Sequence, residues 1–237
     1  ALPILHNVDL SSALVVRAAC LQAEKTVPLA LWNKVLLPIA KTVQSENLLL
    51  PEPMQARLEQ TFFSFKKEKS PNGFLPDRGW RHLDQSLKES VLYLISVLVR
   101  RRKLLFVFED LQWIDEDSLL LVEELLRGFA AENVMMLLSS RSHSSRKTEE
   151  FLESAVADGL LLRHRLMPLT KTQTAALLEN ELSQEVATQL QAQFYEETSG
   201  NLFLLTELIR AYQRSKSVTQ TLQALNDILL ERLNGLD

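Results

Sequence analysis

The chain has one cysteine, Cys20, in 237 residues. A single thiol excludes an internal disulfide framework. The four histidines, His6, His82, His143 and His164, are scattered, and no Cys/His grouping has the spacing of a zinc site. No apolar run reaches the ~18 residues that a membrane-spanning helix needs, and no signal-peptide pattern opens the chain. These absences point to the cytoplasm. There is no excess of positive charge either. The net charge of -4 gives no global attraction to nucleic acid or to an anionic membrane. The one basic run, Arg100-Arg101-Arg102-Lys103, reads as a solvated helix end, where cations suit the negative end of the dipole. With 46% apolar and 24% charged residues the balance is that of a folded globular chain, long enough for one core and a smaller second domain.

The hydrophobic pattern alternates between two periods. Residues 13–20 form an apolar, β-branched run of strand length. Residues 29–43 read as a helix that Pro38 should kink or break. Pro51 and Pro53 predict a loop over 45–55, followed by a short helix over 55–65. Four Pro and Gly residues over 66–81 predict a mobile loop. Leu83, Leu87, Val91, Leu94, Ile95 and Leu98 then fall on one face of a long helix. The runs 104–108, 134–138 and 160–166 are continuously apolar, the form of strands buried on both faces of a parallel sheet, and helices are expected over 117–130 and 147–157 between them. Regular alternation through residue 169 predicts a doubly wound α/β sheet. From the capping-box signature Thr170-Lys171-Thr172-Gln173 onward everything reads as helix, broken at Ser199-Gly200-Asn201.

The chemistry lies in LLFVFEDLQWID, residues 104–115, where a buried strand ends in Glu109 and Asp110. In open parallel sheets the ligand crevice lies at the carboxyl ends of the strands. Two adjacent carboxylates there are costly unless a cation faces them, and Mg²⁺ carrying a nucleotide phosphate supplies one. One acid then holds the metal, and the other orients or deprotonates the attacking water. The alternative is that both acids merely cap the loop into the next helix.

The segment EDLQWIDEDSLL resembles the Walker B region of STAND-type ATPases: an apolar strand, two acids, Leu, His or Gln, Trp, a small residue, Asp, and Ser-Leu opening a helix. Glu109, Asp110, Leu111, Gln112, Trp113, Asp115, Ser118 and Leu119 carry the match. VMMLLSSR, residues 134–141, is similar to the family's next strand, which ends in an arginine that reads the γ-phosphate; Arg141 stands there. SGNLF, residues 199–203, resembles the lid motif Ser-Gly-Gly-Asn-Pro-Phe, with Asn201 retained, one Gly absent and Leu202 in place of Pro.

The resemblance implies a P-loop NTPase-like parallel sheet flanked by helices over 1–169, a helical lid over 170–226 and the start of a winged-helix domain over 227–237. It implies ATP and Mg²⁺ as ligands. Glu109 and Asp110 are the metal-side residues by this reading, Asp110 and Arg141 the catalytic pair, and Arg141 and Asn201 nucleotide contacts. It also implies a bacterial signalling or transcription-regulating switch that self-associates through this module and reaches DNA only through other domains. Attachment to a cyclase or kinase, or a scaffold that does not hydrolyse ATP, are the alternatives. The chain opens on Ala1 rather than Met, and residues 1–4 match what a sequencing adapter would encode, so the biological sequence is expected to continue upstream.

A phosphate-binding loop needs Gly-Lys-Ser/Thr, yet none of the six glycines is followed by Lys. Calorimetric titration of this chain with Mg-ATP is therefore expected to show no tight site. Submicromolar affinity would mean that phosphate is held by residues other than such a loop.

Overall fold

A computed structural model describes residues 13–62, 65, 83–129, 133–141, 144–223 and 227. The chain divides into two compact units, Ala1–Arg163 and His164–Asp237. The predicted loop over 66–81 and the winged-helix start beyond Asp227 lie outside the described residues.

The first unit is mixed α/β. Strands β1 (Ala13–Ala19), β2 (Lys103–Glu109) and β3 (Val134–Leu138) form one sheet in the order β1-β2-β3, with both pairings parallel. Helices α1 (Ala30–Ser45), α2 (Glu52–Thr61), α3 (Gln85–Val99), α4 (Glu116–Gly128) and α5 (Arg146–Ala157) accompany it. Parallel pairing brings the carboxyl ends of all three strands to one edge, as expected for Glu109, Asp110 and Arg141.

Only one face of the sheet belongs to the main apolar cluster. Val16, Ala18, Leu104, Phe106 and Phe108 pack there with Trp32 and Ile39 of α1, Leu58 of α2, Leu94 and Leu98 of α3, Val122 of α4 and Phe151 of α5. Trp32 meets Phe108 edge to face, with ring centroids 6.2 Å apart. The alternate residues on β1 and β3 face outward, and Met135 is 64% exposed. β2 is buried on both faces, as its sequence predicted, but β3 is a half-buried edge strand.

Three expectations need correction. Residues 161–170 form neither helix nor strand, and Leu162 and Leu166 are exposed. An apolar run specifies a strand only where a neighbour accepts its backbone hydrogen bonds, and no ladder forms there. The loop expected over 45–55 is shorter, covering 46–51: α2 begins at Glu52, with Pro51 just before it and Pro53 in its first turn, where a missing N–H costs nothing because first-turn donors have no helical acceptor. Finally, α1 runs through Pro38 without a break. Leu31, Trp32, Val35 and Leu36 before it and Ile39 and Ala40 after it are all buried, so packing keeps both halves helical.

The start of α1 has no local cap. Leu29, in the left-handed region at φ 59°, offers no side-chain acceptor. The acceptor comes from Asp115, 86 residues later. Its Oδ1 accepts from Leu29 N at 2.8 Å and its Oδ2 from Ala30 N at 3.2 Å. The same Oδ1 accepts from Ser118 N at 2.9 Å, so Asp115 also caps α4. Trp32 Nε1 donates to Ser118 O at 3.2 Å and closes the junction.

The second unit is helical: α6 (Lys171–Glu181), α7 (Gln184–Thr198) and α8 (Leu202–Ser215) pack around Leu178, Phe194, Leu205 and Leu208. The capping box predicted at Thr170 and Gln173 is present. Between α7 and α8, Gly200 takes φ 75° and its carbonyl accepts from Leu169 N at 2.8 Å. A Cβ at position 200 would lie 2.0 Å from the Leu169 carbonyl oxygen, so only glycine fits. Among the described residues no helix is long and apolar enough to cross a membrane.

Asp115 generates a stability prediction. Asp115→Ala strands the Leu29 and Ser118 amides in a buried junction and leaves Ala30 N only its 3.3 Å bond to Val27 O, so it should lower unfolding stability by about 3 kcal/mol in urea titrations. Asp115→Asn keeps one acceptor oxygen and should lose less. If the alanine variant matches the parent, the junction contributes nothing.

Candidate functional site

The carboxyl edge is assembled by continued backbone pairing beyond the strands. Cys20 N donates to Glu109 O, Ser139 N to Phe108 O and Leu111 N to Ser139 O, each at 2.9 Å. Asp110 interrupts this run in the left-handed region at φ 58°, a conformation that a short polar side chain tolerates. The chain then turns through Leu111–Trp113 into α4.

The two adjacent acids have different surroundings. Register pairs Ala19 with Glu109 and Arg17 with Val107, which places Arg17 and Glu109 on the same face of the sheet. The Arg17 guanidinium grips Glu109 with both prongs. Nε donates to Oε2 and Nη2 to Oε1, each at 2.7 Å. These hydrogen bonds hold the Glu109 carboxyl below its usual range; burial opposes them, and Arg17's charge adds a smaller lowering. Any stability from the pair is therefore present at neutral pH and is lost as pH falls through the lowered Glu109 pKa. The Arg17 side chain is 46% exposed and that of Glu109 23%, so water screens the attraction.

Asp110 instead meets Gln112, a buried amide that uses both of its ends. Nε2 donates to Asp110 Oδ1 at 2.9 Å, and Oε1 accepts from Arg141 N at 3.0 Å. One side chain thus links the acid after β2 to the backbone after β3. Asp110 Oδ2 has no hydrogen-bond partner among the described residues. The Arg141 side chain is exposed and makes no ion pair among them.

Around this edge, Lys34 Nζ donates to Ala19 O at 2.9 Å and pairs with Glu24. Lys25 sits over the Trp113 ring, 5.7 Å from its centroid. Burial pushes the Cys20 thiol up to about 12, aided by the nearby carboxylates of Asp115 and Asp110 and opposed by Lys34, so it is not poised as a nucleophile.

No family model matches the chain, and no curated protein or solved structure is significantly similar to it.

Of the residues expected to act together, Glu109, Asp110 and the Arg141 backbone do share one edge. Asn201 belongs to the second unit, where its Oδ1 caps α8 by accepting from Phe203 N at 3.0 Å and Leu204 N at 3.3 Å. Arg17 carried no signal in the sequence, because a single Arg in an apolar strand reads as its outward face. Gln112 matched the motif without revealing its two bonds. Two open hollows lie elsewhere. One, of about 360 Å³, runs between α4 and α5 past Leu119, Leu120 and Phe151, and another flanks Tyr212 in the second unit. Neither contains the paired acids.

Mg²⁺ needs carboxylate oxygens free to coordinate it. Both Glu109 oxygens are on Arg17, and the described residues hold no group of three or more His, Cys, Asp or Glu side chains suited to a metal. As arranged, the edge does not fit the ion.

The Gln112 bridge is testable in this chain. Gln112→Leu frees the Arg141 amide, whose hydrogen exchange should accelerate by roughly tenfold or more if a net bond of ordinary strength is lost. Gln112→His, with one donor and one acceptor nitrogen, should recover part of the protection. Unchanged exchange at Arg141 in the leucine variant would remove the bridge from the account.

Proposed function

We propose that this chain is the core and lid of a nucleotide-dependent switch of the STAND/AAA type, an ATP-binding and ATP-hydrolysing module of a bacterial signalling or transcription-regulating protein in the cytoplasm. The observation that supports the reading best is the exit of Glu109 and Asp110 from a fully buried parallel strand at the carboxyl edge, beside the strand end that carries Arg141. In this reading ATP is the ligand and is expected to arrive with Mg²⁺, which the edge as arranged does not itself hold because Arg17 occupies both Glu109 oxygens; self-association runs through the module, and DNA is reached only through other domains. A phosphate loop preceding β1 is part of the proposal.

Within the reading, Asp110 is the water-side acid. Gln112 fixes one carboxylate oxygen and leaves the other available to accept a proton from attacking water. Arg141, with no ion-pair partner of its own among the described residues, is available to a phosphate oxygen. Asn201 is the lid contact.

The Arg17–Glu109 pair favours a second reading, a scaffold that binds nucleotide without hydrolysing it, since Glu109 is neutralised where it stands. A module attached to a cyclase or kinase stays open as a variant of the first reading.

The two readings separate on turnover. In the protein extended upstream through a Gly-Lys-Ser/Thr loop, Asp110→Asn should leave ATP affinity nearly unchanged and slow hydrolysis by roughly 10²–10⁴-fold, the scale for loss of a general base. Steady-state rates and nucleotide titrations measure both. Hydrolysis at the parent rate in the variant would remove Asp110 from the water side, and no hydrolysis in the parent would favour the scaffold.

A further inference from the structure

We propose that the open edge of β3 is where two copies of this chain join, antiparallel about a two-fold axis through Met136, so that two three-stranded sheets become one. The proposal rests on the self-association in the reading above and gives it a surface, but its argument uses only the sheet and needs no nucleotide.

Three observations carry it. The first is composition. β3 reads Val-Met-Met-Leu-Leu, without a charge, a proline or a glycine. Edge strands usually carry a residue that blocks pairing with another chain. β1, the other edge, carries Arg17, whereas β3 carries no such residue. The second is burial. On the core side of β1, Val16 and Ala18 are buried, but Val134, Met136 and Leu138 of β3 are only half-buried against the same cluster. The core is closed at one edge of the sheet and open at the other.

The third observation is the direction of the backbone groups. Leu104 N donates to Asn133 O at 2.8 Å, and Ser139 N donates to Phe108 O at 2.9 Å. In a parallel ladder every second residue turns both its N–H and its carbonyl to one neighbour. Residues 133, 135, 137 and 139 are therefore committed to β2. Val134, Met136 and Leu138 turn their groups to the open edge, where the described residues supply no further strand. This row is spaced evenly about Met136 and is its own complement. With a second β3 laid antiparallel, Met136 meets the partner's Met136 and Val134 meets the partner's Leu138, each pair exchanging both N–H···O bonds. Every free group in the row is used, and the operation closes at two copies. The same pairing sets the exposed Met135 beside the partner's Leu137.

Sedimentation equilibrium of this chain, up to about 1 mM, should show monomer and dimer in exchange. Amide exchange followed by nuclear magnetic resonance gives the signature. From dilute to concentrated protein, the Val134, Met136 and Leu138 amides should slow by roughly tenfold or more, while those of Met135 and Leu137, already held by β2, change little. Met135→Lys sets a charge on the strand at an exposed position and should weaken the dimer by about tenfold or more, with an unchanged circular dichroism spectrum. Leu120→Lys, also exposed but on α4, should leave the dimer as it is. A chain that stays monomeric, or a dimer without alternating protection along β3, overturns the proposal. So does a dimer that is lost when the protein is extended upstream, because a preceding strand of the same chain then takes the edge. None of these measurements involves ATP, so a failure of turnover and a failure of pairing are told apart.

Discussion

The carboxylate of Asp115 is the joint on which the first unit turns. Helix α1 starts from Leu29, which has no side-chain acceptor of its own, and α4 begins two residues after Ile114 leaves the loop that follows β2. One buried side chain satisfies both helix starts. Because Asp115 lies five residues beyond Asp110, anchoring it also ends the loop that displays the acid pair. Trp32 builds on the same joint, donating to Ser118 O while its ring meets Phe108 in the sheet. The segment 109–119 thus divides in two: its second half is architecture, and only its first half is available for chemistry.

Within that first half, neighbouring residues obey different electrostatics. Glu109 is the last residue of a pleated strand, so it shares a face with Arg17 and is drawn into a two-pronged ion pair. Asp110 has turned into the left-handed region, leaves that face, and meets a neutral amide. Adjacent acids that would repel one another in a common environment are separated by one backbone rotation. Gln112 adds a mechanical link, since the amide holding Asp110 also holds the chain where β3 ends.

Much of the architecture could be read from residue order. The buried run 104–108, the one-faced helix over Leu87 to Leu98, and the capping box at Thr170 each depend on local pattern, and each is present. What escaped the sequence depends on partners distant along the chain. The run 160–166 has strand composition, but composition cannot supply a neighbouring ladder. Pro51 and Pro53 are loop residues by frequency and helix starters by position, and position follows from where α2 can pack Leu58. At the site, the paired acids were legible because they end an apolar run. Arg17 was not, because its role exists only once register sets it beside β2.

The left-handed backbone at Asp110 has a consequence for how this position can vary among relatives. Only glycine and short polar residues, chiefly Asn and Asp, take that conformation at low cost, whereas Val, Ile or Thr would strain it. Drift at position 110 is therefore channelled toward Gly and Asn before any demand for a carboxylate is considered. A lineage that mixes Asp, Asn and Gly there is keeping a turn. One that holds Asp alone, although Asn would serve the backbone equally well, is keeping a charge.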